Sequence, residues 1–357
     1  MRAIDFFCGA GGLTRGLLDA GIEVVAGIDA DGRCRETYEY NNRPARFYEW
    51  DISEIRVSDA WGLLDSRRTG DLLIAGCAPC QPFSKHRKCV TDKSGAVCRL
   101  RDPDATLLGS LGRLVEIIRP GQVLIENVPG IAKVEGFSTY RRLVRMLKAN
   151  SYQIAEGVLD AKHYGVPQTR RRYVLIAVRG RRASLPQREF ERGLQEYVTV
   201  RKAIAHYPPI QAGEGHPSVP NHEAASISVT NLLRLRSTPP DGGDRRAWPP
   251  GLELECHKRG HEGHTDVYGR LAWDEPAPTL TGRCNSISNG RYGHPSQDRA
   301  ISLREAASLQ TFSDSYVFWG GRQQIARQIG NAVPVKFAEA LGRHLLRLRS
   351  TKTIEAD

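Results

Sequence analysis

The chain has 357 residues, 40% of them hydrophobic and 25% charged, a composition that suits a large folded domain with a smaller companion. No apolar run approaches the length that spans a bilayer, which argues against an integral membrane protein. A formal net charge of +11, with arginines clustered at Arg141-Arg142-Arg145, Arg170-Arg171-Arg172, Arg179 and Arg181-Arg182, favours a polynucleotide partner over an uncharged one.

Residues 1–8 lead straight into a patterned strand, so no export signal is expected, and the eight scattered cysteines read as reduced thiols in a cytosol-like compartment. From there to about residue 180, short apolar runs alternate with amphipathic stretches. Ala3–Phe7, Val24–Ile28, Leu72–Ala75, Val123–Ile125 and Tyr173–Val178 read as buried strands. Leu13–Ala20, Leu107–Ile118 and Tyr140–Leu147 carry helical spacing. That alternation predicts an α/β fold with a doubly wound sheet. Between 184 and 300 proline pairs, Gly242-Gly243 and polar residues interrupt every run, which predicts a loop-rich second domain. Helical patterning returns at Leu303–Leu309 and Val335–Leu348. The expected boundaries are 1–183 for the first domain, 184–300 for the loop-rich second, and 301–349 as a return segment whose part from 325 completes the first domain.

Phe7-Cys8-Gly9-Ala10-Gly11-Gly12 joins the first strand to the first helix, where glycines let backbone approach a ligand at a helix N-terminus. Asp29 closes the second strand, where an acid can accept from ribose hydroxyls, and Asp51 follows the third apolar segment, placed for an adenine amine. Sites for NAD, FAD and S-adenosyl-L-methionine all share such a turn. The spacing departs from G-x-G-x-x-G, and a cofactor without a pyrophosphate needs less of a cradle, so S-adenosyl-L-methionine is favoured. Phe7 offers its ring to a sulfonium, or else packs as core.

The run Gly76-Cys77-Ala78-Pro79-Cys80 is a turn at the carboxyl end of a strand, where open α/β sheets build their sites. Cys80 reads as a nucleophile, provided cationic neighbours lower its pKa. Cys77 and Cys80 also show zinc-type C-x-x-C spacing, with His86, Cys89 and Cys98 following, and Cys256-His257 with His261 and His264 forms a second metal-capable stretch. No second tight cysteine pair supports zinc, and no metal is expected.

The ordered pieces Asp5–Gly12, Asp29, Asp51, Pro79–Ser84, Glu126-Asn127-Val128, Gln168–Arg172, Arg304–Gln310 and Gln328–Pro334 together resemble the bacterial DNA (cytosine-5)-methyltransferases, from residue 3 to about 345. The resemblance implies a methyltransferase-type Rossmann-like sheet, S-adenosyl-L-methionine as cofactor and duplex DNA as substrate. It gives Cys80 the attack on cytosine C6, Glu126 the grip on N3 and the exocyclic amine, and Arg172 the O2 contact, with Arg170 nearby as a fourth catalytic candidate. Phe7, Gly9, Ala10, Gly11, Gly12, Asp29, Asp51 and Ile52, with Asn331, Ala332 and Val333 returning to the pocket, match cofactor positions. The last helix is accordingly expected beside the glycine turn. Ala30 stands where relatives carry a bulky residue against adenine, which leaves Ile28 or Ile52 for that packing. Gln81, Ser84, Lys85, Arg87 and Lys88 match the loop that closes on DNA and the flipped-out base. Within 184–300, Arg234, Arg236, Arg245, Arg246, Arg283 and Asn285 are unranked readers of base edges. The chain is expected to act as a monomer, as the modification enzyme of a restriction system, without stable complex with its cognate endonuclease. The alternatives are a tRNA cytosine-5 methyltransferase, a non-catalytic DNA-binding relative and, more distantly, an oxidoreductase.

Overall fold

The computed structural model describes residues 1–64, 69–79, 103–132, 138–191, 195–255 and 266–350. No helix among them is long and apolar enough to cross a membrane. The described chain separates into two compact units: Met1–Asp160, Arg171–Gln187 and the chain from Phe337 form the first, and Ala161–Arg170 with Arg188–Lys336 form the second. The excursion thus begins with the ten-residue connection between two paired strands rather than only after 183. The chain rejoins the first unit at Phe337, later than 325.

The first unit holds a seven-stranded sheet. Its strands are β1 (Arg2–Phe6), β2 (Glu23–Asp29), β3 (Arg46–Glu49), β4 (Leu72–Gly76), β5 (Gln122–Asn127), β6 (Tyr152–Asp160) and β7 (Arg171–Arg179). Their order is β3-β2-β1-β4-β5-β7-β6. The first five run parallel, and β7 pairs antiparallel with both β5 and β6. Parallel strands covered on both faces must be apolar throughout, and β4 and β5 are buried at every position. The two strands that the apolar pattern does not reveal, β3 and β6, lie at the sheet edges, and each has a single buried residue among half-buried and exposed ones.

Helices α1 (Gly12–Asp19), α2 (Arg35–Asn41), α3 (Val57–Gly62), α4 (Pro103–Ile118) and α5 (Ser138–Ala149) connect these strands. The core runs through Ile4, Phe6, Ile28, Ile74, Leu111, Leu114, Ile125 and Leu175. Because the chain leaves β1 toward β2 on one side and returns as β4 on the other, winding reverses at β1 and β4. A crevice at the carboxyl ends of those strands is where such sheets bind ligands.

The second unit contains α6 (Val200–Ile204), α7 (Val229–Arg236), α8 (Leu303–Leu309) and α9 (Arg322–Asn331), set among loops. Buried charge organises it. Arg299 makes a two-bond pair with Glu305 at 2.7 Å each, and Glu305 with Ser302 caps α8. Arg304 donates to the carbonyls of Pro220, Ser313 and Tyr316, so this helix holds the surrounding backbone together. The last helix, α10 (Val335–Arg349), crosses into the first unit, where a methyl group on Gly342 would lie 2.7 Å from Ala20 and 3.3 Å from Leu17. That contact is with the far end of α1 rather than with the glycine turn at its start.

Candidate active site

Beyond Phe6, backbone conformation does the work. Phe7 takes φ 61°, Gly9 +49° and Gly11 88°, the last as N-cap of α1. Left-handed backbone is nearly free for glycine but costs a side chain roughly 1–3 kcal/mol, so the turn holds Phe7 under strain. A methyl group on Gly9 would meet nothing within 4 Å, which leaves open space above that residue. Gly9 N–H donates to Asp29 Oδ2 at 2.8 Å, and Asp31 N–H donates to Oδ1 at 2.9 Å. Ala30 N–H bonds the same carboxylate, so three backbone donors leave it acceptor capacity for one more. Burial raises the Asp29 pKa, and the backbone donors partly oppose that rise.

Asp51 is exposed; its Oδ1 accepts from Ser53 N–H and Oγ–H, which lowers its pKa, and no described group occupies its Oδ2. Ile52 and Ile28 belong to the buried core, and Ala10 and Gly12 are buried in the turn. The space above Gly9, the remaining acceptor capacity of Asp29 and the free Oδ2 of Asp51 fit an adenosyl group bearing ribose hydroxyls and an amine.

Asp5, inside the apolar strand β1, was legible as part of a motif but not as a site residue. It is fully buried, accepts from Thr14 Oγ1 at 2.6 Å, and leaves Oδ1 without a partner. Burial pushes its pKa up to about 7. Thr14 Oγ1 also lies 3.0 Å from Tyr38 Oη, so the carboxyl, hydroxyl and phenol form a buried chain beneath the turn.

At the neighbouring strand ends, Glu126 of β5 pairs in register with Val174 of β7. Arg172 lies two residues from Val174 and so shares its face. That register brings Arg172 Nε to 3.1 Å from Glu126 Oε1, with side chains 13% and 8% exposed. Asn127 Nδ2 donates to the Ala78 carbonyl at 3.0 Å and ties the turn after β4 to the end of β5. Cys77 hydrogen-bonds its thiol to Glu126. Burial is the main cause of its pKa rising well above the ordinary thiol value, and the Glu126 charge adds to it. A thiol so held stays protonated. The described chain reaches Pro79. Cys80, Gln81, Ser84, Lys85, Arg87 and Lys88 lie outside the described residues, as do Cys256, His257, His261 and His264.

Arg170, the fourth catalytic candidate, has backbone partners. It belongs to the second unit, is 2% exposed, and donates to the carbonyls of Leu280 (2.8 Å), Gly330 (3.1 Å) and Ala332 (3.0 Å). A guanidinium spent on three carbonyls holds backbone together. Gln168 and Gln310 complete the hub, Gln310 Nε2 donating to the Ile329 carbonyl at 2.7 Å. Asn331, Ala332 and Val333 therefore sit in a segment fixed from several sides, all within the second unit.

The base-reading candidates also separate by partner. Arg234 stacks over Trp248 and Tyr268, Arg236 pairs with Asp298, and Arg246 with Asp244. Arg245 Nη1 and both amide atoms of Asn285 are buried without partners. Arg283 alone among the six is exposed with no side-chain partner.

The sequence profile of the family described as C-5 cytosine-specific DNA methylase matches residues 1–347. The Type II methylase M.HgiDII of Herpetosiphon aurantiacus is 38% identical over 350 residues, covering 96% of this chain and 94% of that protein. Type II methyltransferase M.PspPI of a Psychrobacter species is 31% identical over 97% of this chain and 79% of its own. A protein described as a prophage-encoded DNA modification methyltransferase of Escherichia coli shares the fold at TM-score 0.73 and 22% identity, over 98% and 99% of the two chains. With nearly its whole length matched in this way, the chain belongs to the C-5 cytosine-specific DNA methylase family.

Proposed function

We propose that this chain methylates cytosine within one specific duplex DNA sequence as the modification enzyme of a restriction system, through covalent attack by Cys80. Family membership makes it a DNA cytosine-5-methyltransferase that uses S-adenosyl-L-methionine. The modification role is supported by relatives that are Type II methylases. The observation that carries the chemistry is the buried Arg172–Glu126 pair beside the turn that leads into Cys80.

S-adenosyl-L-methionine, when bound, supplies an electrophilic methyl group. Phe7, the Gly9–Gly12 turn, Asp29, Asp51 and Ile52 would hold it. The chain's own task is to make a weakly nucleophilic ring carbon react. The Cys80 thiolate adds to C6 of a flipped-out cytosine, forming the sulfur–carbon bond and shifting electron density to C5. Glu126 holds N3 and the exocyclic amine, while Arg172 donates to O2; both oppose the charge that builds up on the ring. After C5 gains its substituent, loss of the C5 proton expels the Cys80 sulfur and restores the ring. Arg170 positions rather than reacts, holding Leu280 and the 330–332 backbone. Gln81, Ser84, Lys85, Arg87 and Lys88 meet the phosphates and the flipped base.

Incubating the purified chain with tritiated methyl donor and either duplex DNA or total tRNA tests the substrate. Incorporation into duplex DNA, and bisulfite protection at one short sequence, is expected. Incorporation into tRNA with none into DNA would contradict the proposal.

A further inference from the structure

The arginines of the second unit sort sharply by what they touch. Arg188, Arg201, Arg236, Arg246 and Arg322 pair with carboxylates, Arg170, Arg270 and Arg304 hold backbone carbonyls, and Arg299 is locked to Glu305. Among the described residues of the second unit, two arginines, Arg283 and Arg327, are exposed with guanidinium groups that bond to nothing. They are also neighbours: a methyl group on Gly282 would lie 3.6 Å from Arg327 Cγ. Two uncompensated positive charges carried on adjoining backbone favour an anionic partner.

The segment that carries Arg283 is held at each side. Leu280 N–H donates to Gln168 Oε1 at 2.9 Å, and the Leu280 carbonyl accepts from Arg170 at 2.8 Å. Tyr292 Oη donates to the Thr279 carbonyl at 3.0 Å, and Cys284 Sγ approaches the Ala326 carbonyl at 3.7 Å. Gly330 lets α9 press against this turn so closely that any side-chain carbon there would lie 2.0 Å from the Thr281 carbonyl oxygen. Turns close the loop itself, from Cys284 N–H to the Thr281 carbonyl and from Ser286 N–H to that of Arg283.

The geometry points to Arg283 as the residue that reads a guanine of the target sequence, with Arg327 on an adjacent phosphate. Bidentate recognition of guanine O6 and N7 needs a guanidinium of defined direction, which a pinned loop supplies. Arg327, on the face of α9 beside Gly282, supplies charge next to that loop without a comparable anchor. The assignment deepens the function proposed above and rests on it.

The test uses the full chain, expressed as wild type, Arg283→Ala and Arg327→Ala, with methylation mapped by bisulfite sequencing of host DNA. Transfer to defined duplexes and its salt dependence are measured alongside. Arg283→Ala is expected to relax one guanine position of the site and to lower kcat/KM on the cognate duplex by about tenfold to a hundredfold. Arg327→Ala is expected to keep the sequence preference, weaken all duplexes alike and reduce the salt slope by about one. Neither side chain has an internal partner, so unchanged melting temperatures are expected. An Arg283→Ala enzyme that keeps the wild-type sequence preference, whether by uniform loss or by no loss, would overturn the inference. A wild type that methylates no DNA would instead overturn the function beneath it.

Discussion

Replacing Asp5 with Asn tests how the site beneath the glycine turn is built. The Asp5 carboxyl is fully buried, bonded on one side to Thr14 and unpartnered on the other, and its pKa stands near 7 against 3.8 for a free carboxyl. A folded pKa above the unfolded one means that the group destabilises the fold once it must ionise. The carboxyl costs nothing below about pH 4, and stability is lost as pH climbs from there through about 7. Between those values each pH unit removes about 1.4 kcal/mol, so from pH 5 to pH 8 the wild type should lose about 2.5 kcal/mol that Asp5→Asn does not. The variant carries its own cost, a buried amide N–H where Oδ1 accepts nothing, of about 1–3 kcal/mol at every pH. Urea denaturation of both proteins across pH 5 to 8 separates the two effects, since only the first depends on pH. Parallel stability curves would refute the argument, because they would show that Asp5 titrates alike in folded and unfolded chains.

Other outcomes follow from contacts of the same kind. Arg172→Ala leaves Glu126 buried without its cation, and should cost about 3–5 kcal/mol by denaturation besides abolishing most methyl transfer. Glu126→Gln/Arg172→Ala should recover part of that stability and none of the activity, which a paired melting and tritium assay reads directly. Gly330→Ala places a carbon 2.0 Å from the Thr281 carbonyl oxygen, against rigid backbone. It should destabilise the second unit and lower methylation of the cognate duplex, both visible by native-state hydrogen exchange and initial rates.

The parallel half of the sheet was legible because β1, β2, β4 and β5 are buried on both faces and so appear as apolar runs. Edge strands β3 and β6 were not, since each has a single buried residue. Helix α9 escaped notice because Ile325 and Ile329 are the only large apolar residues in Arg-Gln-Gln-Ile-Ala-Arg-Gln-Ile-Gly-Asn. Asp29 and Asp51 were singled out by their place at strand ends, and Glu126 and Arg172 only by the resemblance. Arg170 and Arg172 look equivalent along the chain, yet the boundary between the compact units falls between them, and only the fold shows their different partners. Cys77 and Asp5 were passed over because the hydrogen bond to Glu126 and the depth of burial exist only once β1, β4 and β5 lie side by side. Ranking the recognition arginines needed their partners, which come from positions as distant as Asp298 for Arg236.

The central claim is that Cys80 forms a bond to cytosine C6. Duplex DNA carrying 5-fluorocytosine at the methylated position tests it most directly, because fluorine blocks the final loss of the C5 proton and traps the adduct. With S-adenosyl-L-methionine present, the wild type and Cys77→Ala should both yield a protein–DNA species that survives denaturing electrophoresis, and peptide mapping should locate the link at Cys80. A Cys80→Ala protein that still forms the adduct, or a wild type that methylates the unmodified duplex but never traps on the fluorinated one, would contradict the account.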